Sequence, residues 1–262
     1  MTAVEARVQR HIRALAARSP HRVRVGPFTL RHRPDWPSPY ANYAIPDDGA
    51  EPSAADVRAL IEAFEARDRL PRCEFLPECA PSVERALRAA GFAPESRAPV
   101  MVCAPGTLRA PPPVPGLTIG TPEGEAGLRW VAEIQHEAYG RSGAVGEGAI
   151  AAPRLTLAEG GVVALAVFGT PGVPAGSGAC TPPAEGLSEL IGLGVVPALR
   201  RRGIGAAVTA HLAAGALRAG ADAVWLEPAD DGAARLYAAL GFVAAGEKVA
   251  YARSTGRAPA LP

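Results

Sequence analysis

Three consecutive arginines followed by two glycines give segment 187–207 the clearest chemical potential in the sequence. Arg200, Arg201 and Arg202 precede Gly203-Ile204-Gly205 at the start of a helical pattern. Unpaired N–H groups at a helix N-terminus bind anions, and glycines let the backbone approach a ligand closely. The segment therefore predicts a phosphate or pyrophosphate site built from backbone amides and reinforced by positive charge.

Two common phosphate-binding motifs do not fit this turn. A P-loop needs a lysine and a hydroxyl residue after its second glycine, and neither follows here. A dinucleotide-binding turn needs a third glycine, but Ala206, Ala207 and Val208 follow Gly205. Taken alone, the turn is also compatible with a helix start that glycine makes flexible, with arginines that are solvent-exposed and bind no ligand.

The elements around the turn alternate between strands and helices. Apolar runs predict strands at 116–120, 162–168, 187–196, 223–226 and 241–251, with a short strand near 177–181. Helical periodicity predicts helices at 123–139, 203–218 and 232–240. This alternation is typical of an α/β domain.

The first half of the chain has a pattern of elements similar to that of the second half, at an offset of 150 residues. Segments 73–102 and 223–252 each contain a strand, a helix, Gly-Phe and a second strand, with Gly91-Phe92 corresponding to Gly241-Phe242. The preceding helices, 53–67 and 203–218, also correspond. Glycine commonly ends helices, so some similarity is expected in any case, but the shared offset favours a degenerate tandem repeat.

A proline-rich connector separates the two halves. Its consecutive prolines exclude a continuing helix or a central strand. We therefore predict an N-terminal domain at 1–105, a linker at 106–116, a catalytic domain at 117–253 and a flexible tail at 254–262.

Composition narrows the classes of function. The 262 residues carry 27 basic and 26 acidic side chains, a formal net charge of +1, which argues against a general nucleic-acid binder or an acidic-membrane binder. No apolar stretch is long enough to span a membrane. The N-terminal amphipathic pattern favours a docking helix over a targeting peptide. Four cysteines without metal or redox spacing predict free thiols and a cytoplasmic protein, with no metal.

Two signatures resemble those of the GNAT superfamily of N-acetyltransferases. Val195-Val196-Pro197 followed by Arg200-x-x-Gly203-x-Gly205 is similar to its acetyl-CoA signature, [QR]-x-x-G-x-[GA]. Segment 233–242, Ala-x-x-Leu-Tyr-x-x-x-Gly-Phe, is similar to its second signature. The resemblance covers 117–253, and the first half weakly. It implies a mixed, mostly antiparallel, twisted sheet flanked by helices in two related halves, an α/β (α+β) fold.

The resemblance also implies how acetyl-CoA, a co-substrate, would be held. Backbone groups at Gly194, Val195 and Val196 would bond the pantetheine arm, because their strand would splay from its neighbour. The amides from Arg201 to Ala206 would hold the pyrophosphate. Asp230 takes a place where the family often has asparagine, so its contact with the coenzyme is less favourable. The predicted coenzyme residues are Gly194, Val195, Val196, Arg200, Arg201, Arg202, Gly203, Ile204, Gly205, Ala206 and Asp230.

Two residues are candidates for acid and base. Tyr237 takes the place of a general acid that protonates the departing thiolate. Glu189 is the candidate base, because strand alternation places it on one face with Ile191, Leu193 and Val195. A water chain is the alternative base. Glu189 would then have a structural reason for its place, as the partner of an arginine or as an exposed residue at the strand start.

The expected function is therefore acetyl transfer from acetyl-CoA to a primary amine of a small molecule or peptide, by direct attack in a ternary complex. The N-terminal half has Leu87 in place of Tyr237, so we expect it to be non-catalytic. The alternative is a non-catalytic acyl-CoA sensor or interaction module. A nucleotide-dependent oxidoreductase ranks far behind. We expect no nucleic-acid or membrane partner, and exposed strand edges favour a homodimer.

Overall fold

The computed structural model describes residues 3–141 and 143–254. Packing divides the chain into two units. Unit 1 comprises Met1–Val100 together with the segment from Ala245 to the C-terminus, and unit 2 comprises Met101–Ala244. Most of the predicted tail, 255–262, lies outside the described residues.

The elements agree closely with those expected from the sequence. The helices are α1 (Ala3–Arg18), α2 (Ala54–Glu65), α3 (Val83–Ala89), α4 (Gly124–Ala138), α5 (Glu147–Ala158), α6 (Ile204–Arg218) and α7 (Asp231–Ala239). The strands are β1 (Val23–Val25), β2 (Phe28–Arg31), β3 (Tyr43–Pro46), β4 (Arg72–Phe75), β5 (Ala93–Cys103), β6 (Leu117–Gly120), β7 (Val162–Phe168), β8 (Val173–Cys180), β9 (Leu187–Val195), β10 (Ala223–Leu226) and β11 (Val243–Ala252). None of the helices within the described ranges has the length and apolarity that crossing a membrane requires.

Unit 1 is a sheet with the strand order β1-β2-β3-β4-β11. Its pairs are antiparallel except β3 with β4. Its core lies between this sheet and helices α2 and α3, and its largest side chains include Phe28, Phe64 and Phe75. Helix α1 buries Val8 and Ile12, and Gln9 on the same helix donates to Pro46 O at 3.2 Å. The N-terminal amphipathic segment is therefore a docking helix, as predicted.

Unit 2 is a sheet with the strand order β5-β10-β9-β8-β7-β6. The pair β9–β10 is parallel and its other pairs are antiparallel. Helices α6 and α7 cover one face over a core that includes Leu212, Tyr237 and Phe242. Helix α4 packs on the other face through Val131 and Ile134. The predicted mixed, mostly antiparallel sheet flanked by helices is confirmed.

The elements α2, β4, α3 and β5 match α6, β10, α7 and β11 at the offset of 150. In α3, Phe92 N–H donates to Leu87 O at 3.0 Å, and in α7, Phe242 N–H donates to Tyr237 O at 3.0 Å. Gly91 and Gly241 both adopt left-handed conformations, with φ of +83° and +95°. The recurring Gly-Phe is thus the same helix-ending turn in both halves.

Two elements differ from expectation, and the domain bounds predicted from the sequence stay a prediction. The connector belongs to unit 2 by packing, through Leu108 and Val114. Helix α5 was not predicted, since Pro153 lies inside it and proline disfavours a helix interior. Strand β8 runs well beyond the short strand expected near 177–181. All four cysteines are buried free thiols.

Candidate active site

Strand β9 leaves its parallel neighbour partway along its length. It pairs with β10 only from Leu187 to Glu189, where Glu189 lies opposite Trp225. Beyond this point β9 continues to Val195, whereas β10 ends at Leu226. The second half of β9 therefore has an edge toward β10 that no strand covers in the described chain, which we call the open edge.

Two glycines of β9 allow helix α4 to lie directly against the strand. A Cβ on Gly192 would come within 2.6 Å of the Gln135 amide nitrogen, and one on Gly194 within 2.9 Å of Ala138 Cβ. Both distances are shorter than van der Waals contact. Both glycines therefore leave room for α4 beside the strand.

A bulge at Gly192 changes the faces of the strand. Gly192 has φ of +62°, and the register with β8 shifts opposite Gly178. The extra residue turns Leu193 and Val195 toward the α6 core, while Ile191 stays paired with Ala179 on the α4 face. The prediction that Glu189 shares one face with Leu193 and Val195 is therefore wrong, because a bulge reverses strand alternation.

Side chains, and not a neighbouring strand, bond the carbonyls along the open edge. Leu193 O accepts from the Tyr139 hydroxyl at 3.1 Å, and Val195 O accepts from Arg200 Nε at 3.2 Å. By contrast, Val196 N–H donates to Ala175 O on the β8 side at 3.0 Å. Gly194, Val195 and Val196 were expected to face the open edge. Of these three, Val195 directs its carbonyl toward it.

Leu193 is an open-edge residue that the sequence analysis did not identify. It lies two positions before Val195, and residues two apart on a strand direct their backbone groups to the same side. Gly194 pairs with Ser177 of β8. The spacing from Val195 was therefore a usable signal for Leu193.

The turn after β9 presents an uncapped helix start. Arg201 and Gly203 both adopt left-handed conformations, with φ of +64° and +82°. Gly203 is the N-cap of α6, and no side chain caps this helix. In any α-helix the first N–H groups lack intrahelical acceptors, which here are those of Ile204, Gly205 and Ala206. The predicted amides thus lie together at one helix end.

Two of the three arginines of the turn, Arg200 and Arg202, contact different neighbours. Arg200 Nη2 donates to Ala138 O at 2.9 Å, at the end of α4. The Arg202 guanidinium lies 5.6 Å from the centre of the Phe168 ring, a cation–π contact that leaves its charge available to an anion. All three residues are exposed. The predicted anion site therefore has fewer than three arginine side chains directed at one point.

Tyr237 is the buried residue of α7. Its ring lies 5.9 Å from that of Phe242. Burial, followed by the nearby Tyr139 and Asp230, raises the pKa of the Tyr237 phenol well above its ordinary value. The phenol therefore stays protonated across the physiological pH range and can act as a hydrogen-bond donor.

Glu189 lies on the paired part of β9, before the open edge begins. Its N–H donates to Thr181 Oγ1 at 2.8 Å, and its carbonyl accepts from Thr181 N–H at 2.9 Å. These bonds fix its backbone in the sheet. Because residues two apart on a strand share a face, the Glu189 side chain lies with Ile191 on the α4 face, on the opposite side of the sheet from Leu193 and Val195.

Asp230 has a structural partner of its own. It is the N-cap of α7, and its Oδ1 accepts from Ala233 N–H at 2.7 Å. A capping carboxylate at a helix N-terminus is favourable through hydrogen bonding and the helix dipole. This explains an aspartate at the position independently of any ligand.

Gly241, from the second signature, is required by the backbone of unit 2. A Cβ at this position would lie 1.8 Å from Thr107 O, and its φ of +95° disfavours other residues. The glycine lets the connector cross the end of α7, where Arg109 N–H donates to Leu240 O at 3.0 Å.

The corresponding helix start in unit 1 is already satisfied. Ser53 caps α2 by accepting from Asp56 N–H, and Asp56 accepts in return from Ser53 N–H. Such a capping box occupies the amides and adds a carboxylate where an anion would sit. A groove of about 710 Å³ beside α2 and α3 carries Arg58 and Arg85, but the start of α2, which corresponds to the start of α6, is capped.

Comparisons with known proteins agree with this architecture. Residues 131–242 match the model of the acetyltransferase (GNAT) family. No curated protein matches the sequence. A GCN5-related N-acetyltransferase from Kribbella flavida is similar over 100% of both chains, with 27% identity and a TM-score of 0.81.

Two more distant structures share the fold. A GCN5-related N-acetyltransferase from Sphaerobacter thermophilus is 18% identical over 87% of this chain and 76% of its own, with a TM-score of 0.64. A tandem GNAT protein from the clavulanic acid biosynthesis pathway is 16% identical over 88% and 79%, with a TM-score of 0.60. Residues 131–242 therefore match a domain of the acetyltransferase (GNAT) family, which transfers acyl groups from acetyl-CoA, and the N-terminal half is GNAT-like in structure as well.

Proposed function

We propose that this protein transfers an acetyl group from acetyl-CoA to a primary amine of a small molecule or peptide, and that unit 2 is the catalytic part. The observation that carries the proposal is the uncapped start of α6 directly after the open edge of β9. Unpaired amides suit a pyrophosphate, and a strand edge without a neighbouring strand suits the amide groups of an extended arm.

The residues present fit this donor substrate. The amides of Ile204, Gly205 and Ala206 would receive the pyrophosphate, with positive charge from Arg201 and Arg202. A Cβ on Gly205 would have its nearest neighbour at 3.5 Å, so the helix start is not sterically crowded. The carbonyls of Leu193 and Val195 face the edge where the pantetheine arm would bind. Each has a second lone pair beside its bond to Tyr139 or Arg200, and we propose these two residues for that contact.

Acetyl-CoA would supply the acetyl group as a thioester, so that a C–N bond to the amine forms while the C–S bond breaks. The acceptor must lose a proton, because an amine is protonated at neutral pH. Glu189 is the candidate base, with a water chain as the alternative. Tyr237 would donate its phenolic proton in a hydrogen bond to the departing sulfur.

Unit 1 would be non-catalytic in this scheme. The capping box of Ser53 and Asp56 occupies the helix start that would otherwise bind a phosphate, and Leu87 replaces the tyrosine. We propose that this unit contributes no second donor site.

The test is a free-thiol release assay with acetyl-CoA and a mixed library of amines, amino acids and aminoglycosides. We expect release with at least one acceptor, and Glu189→Gln should slow it by about 100-fold if Glu189 is the base. An unchanged rate in that variant would assign proton removal to water. CoA binding without release for any amine would favour the non-catalytic sensor instead.

A further inference from the structure

We propose that Arg200 is a positioning residue, which fixes the end of α4 against the open edge of β9, and that its side chain is not an anion ligand. The functional meaning of this inference rests on the proposed function, because the open edge is the proposed donor site. The contacts themselves are independent of it.

A single guanidinium joins two elements. Arg200 Nη2 donates to Ala138 O, at the last residue of α4, at 2.9 Å, and Nε donates to Val195 O, at the last residue of β9, at 3.2 Å. Arginine presents its donors in a fixed planar fork. One side chain therefore sets the distance between the end of the helix and the end of the strand.

The charge of Arg200 suits this place. The last carbonyls of a helix have no intrahelical donors, and a cation near the C-terminus is favourable to the helix dipole. Arg200 thus meets a partial negative charge at the end of α4. An anion bound at the start of α6 would have to compete for the same guanidinium.

Two further contacts act at the same end of α4. The Tyr139 hydroxyl donates to Leu193 O at 3.1 Å, and Gly194 allows Ala138 to approach the strand closely. The residues that follow, Gly140 and Arg141, begin the connection to α5. These contacts and the two Arg200 bonds together hold the end of α4 against the open edge, which is the proposed donor site.

The experiment compares Arg200→Met with Arg202→Met in the full chain, using two measurements. Hydrogen exchange follows the N–H groups of Tyr139 and Arg141, which donate to Gln135 O and His136 O, each at 3.1 Å. Calorimetry gives the Kd for CoA. Arg200→Met should speed exchange at these two groups about five- to tenfold, and keep the Kd within about threefold, because it removes bonds to carbonyls only. Arg202→Met should do the opposite, with weaker CoA binding and unchanged exchange.

Arg200→Lys provides the rescue control. Lysine keeps the charge and can reach one carbonyl, so Arg200→Lys should restore part of the protection against hydrogen exchange. If Arg200 only filled space, methionine would protect these groups as well as lysine does. The proposal is overturned if Arg200→Met weakens CoA binding tenfold or more while exchange is unchanged. If the wild type fails to bind CoA, the proposed function falls, but the exchange data still decide whether Arg200 positions α4.

Discussion

At the scale of single residues, the burial of Tyr237 defines what this side chain can do. Its phenol lies in the core of unit 2, and burial raises its pKa. A phenol with a raised pKa is a weak proton donor in the free protein but a stable hydrogen-bond donor. We therefore assign it stabilisation of the developing thiolate, with proton transfer completed as the C–S bond breaks.

Tyr237→Phe should lower the turnover number for thiol release by about 100-fold while changing the Kd for acetyl-CoA by no more than about threefold. The active form of Tyr237 is protonated, and its raised pKa moves loss of that proton to a higher pH. The pH–rate profile of the wild type should therefore show no basic limb from this group below about pH 10.

Steady-state rates between pH 6 and pH 10 provide the measurement. A basic limb near pH 8 to 9 that disappears in Tyr237→Phe would contradict the assignment, because it would show that the phenol titrates in that range.

At the scale of elements, strands β4 and β11 hold a buried group of charges in unit 1. Arg72, Glu74 and Lys248 are 3%, 6% and 6% exposed, and Glu74 bonds both cations. Burial alone would raise the pKa of Glu74, but the charges and hydrogen bonds of Lys248 and Arg72 outweigh it and hold the pKa below its ordinary value. The pair of strands is therefore tied by ionic contacts that need an ionised Glu74.

Lys248→Met should destabilise the protein by about 3–5 kcal/mol at pH 7, because it leaves part of a buried carboxylate charge unpaired. Urea denaturation followed by circular dichroism would measure this loss. Arg97→Met removes the ion pairs of an exposed arginine with Glu84 and with Glu247 and should change stability by less than about 1 kcal/mol.

The same contacts make stability dependent on pH. A folded-state pKa below the unfolded value contributes stability above about pH 4.3, and this is lost as pH falls through the folded pKa. Wild-type stability should therefore decline below about pH 4.3, and more steeply than that of Lys248→Met. Equal slopes for the two proteins would contradict the role of Glu74.

The elements also show where sequence analysis succeeds and where it stops. Helices α4 and α6 have regular apolar spacing, and β7 is a continuous apolar run, so local pattern was enough to predict them. The bulge at Gly192 depends on how β8 pairs with β9, and no local signal in the apolar pattern specifies it. The helix start at Gly203 was predictable, but the direction of the Arg200 side chain was not.

At the scale of the whole molecule, strand β11, the last strand in sequence order, belongs to the sheet of unit 1. Strand β11 pairs with β4, and Cys103, at the end of β5, pairs with Val224 of β10. Each unit therefore contains a strand segment from the other half of the sequence. Pairing between residues so distant in sequence leaves no trace in local periodicity, which explains why the sequence suggested a boundary at the proline-rich connector.

Tyr251 provides a test of this arrangement. It is fully buried, stacks on Phe75 with ring centres 6.4 Å apart, and donates to Glu84 at 2.7 Å. Tyr251→Ala should cost about 3–5 kcal/mol in stability and speed hydrogen exchange in β4. Val243→Ala changes an exposed residue on the same strand and should be nearly neutral. Unchanged exchange in β4 in the Tyr251 variant would contradict the described pairing.

The central claim is that the start of α6 binds acetyl-CoA, and one calorimetric titration tests it most directly. Gly205→Asp places a carboxylate among the proposed phosphate-binding amides, where the helix dipole tolerates it, and Ala55→Asp places the same charge at the corresponding exposed position of α2. We expect the wild type and Ala55→Asp to bind acetyl-CoA with Kd values within about twofold of each other, and Gly205→Asp to bind at least about 30-fold more weakly, by repulsion of the pyrophosphate. Absence of binding to the wild type, or equal weakening by the two substitutions, would contradict the claim.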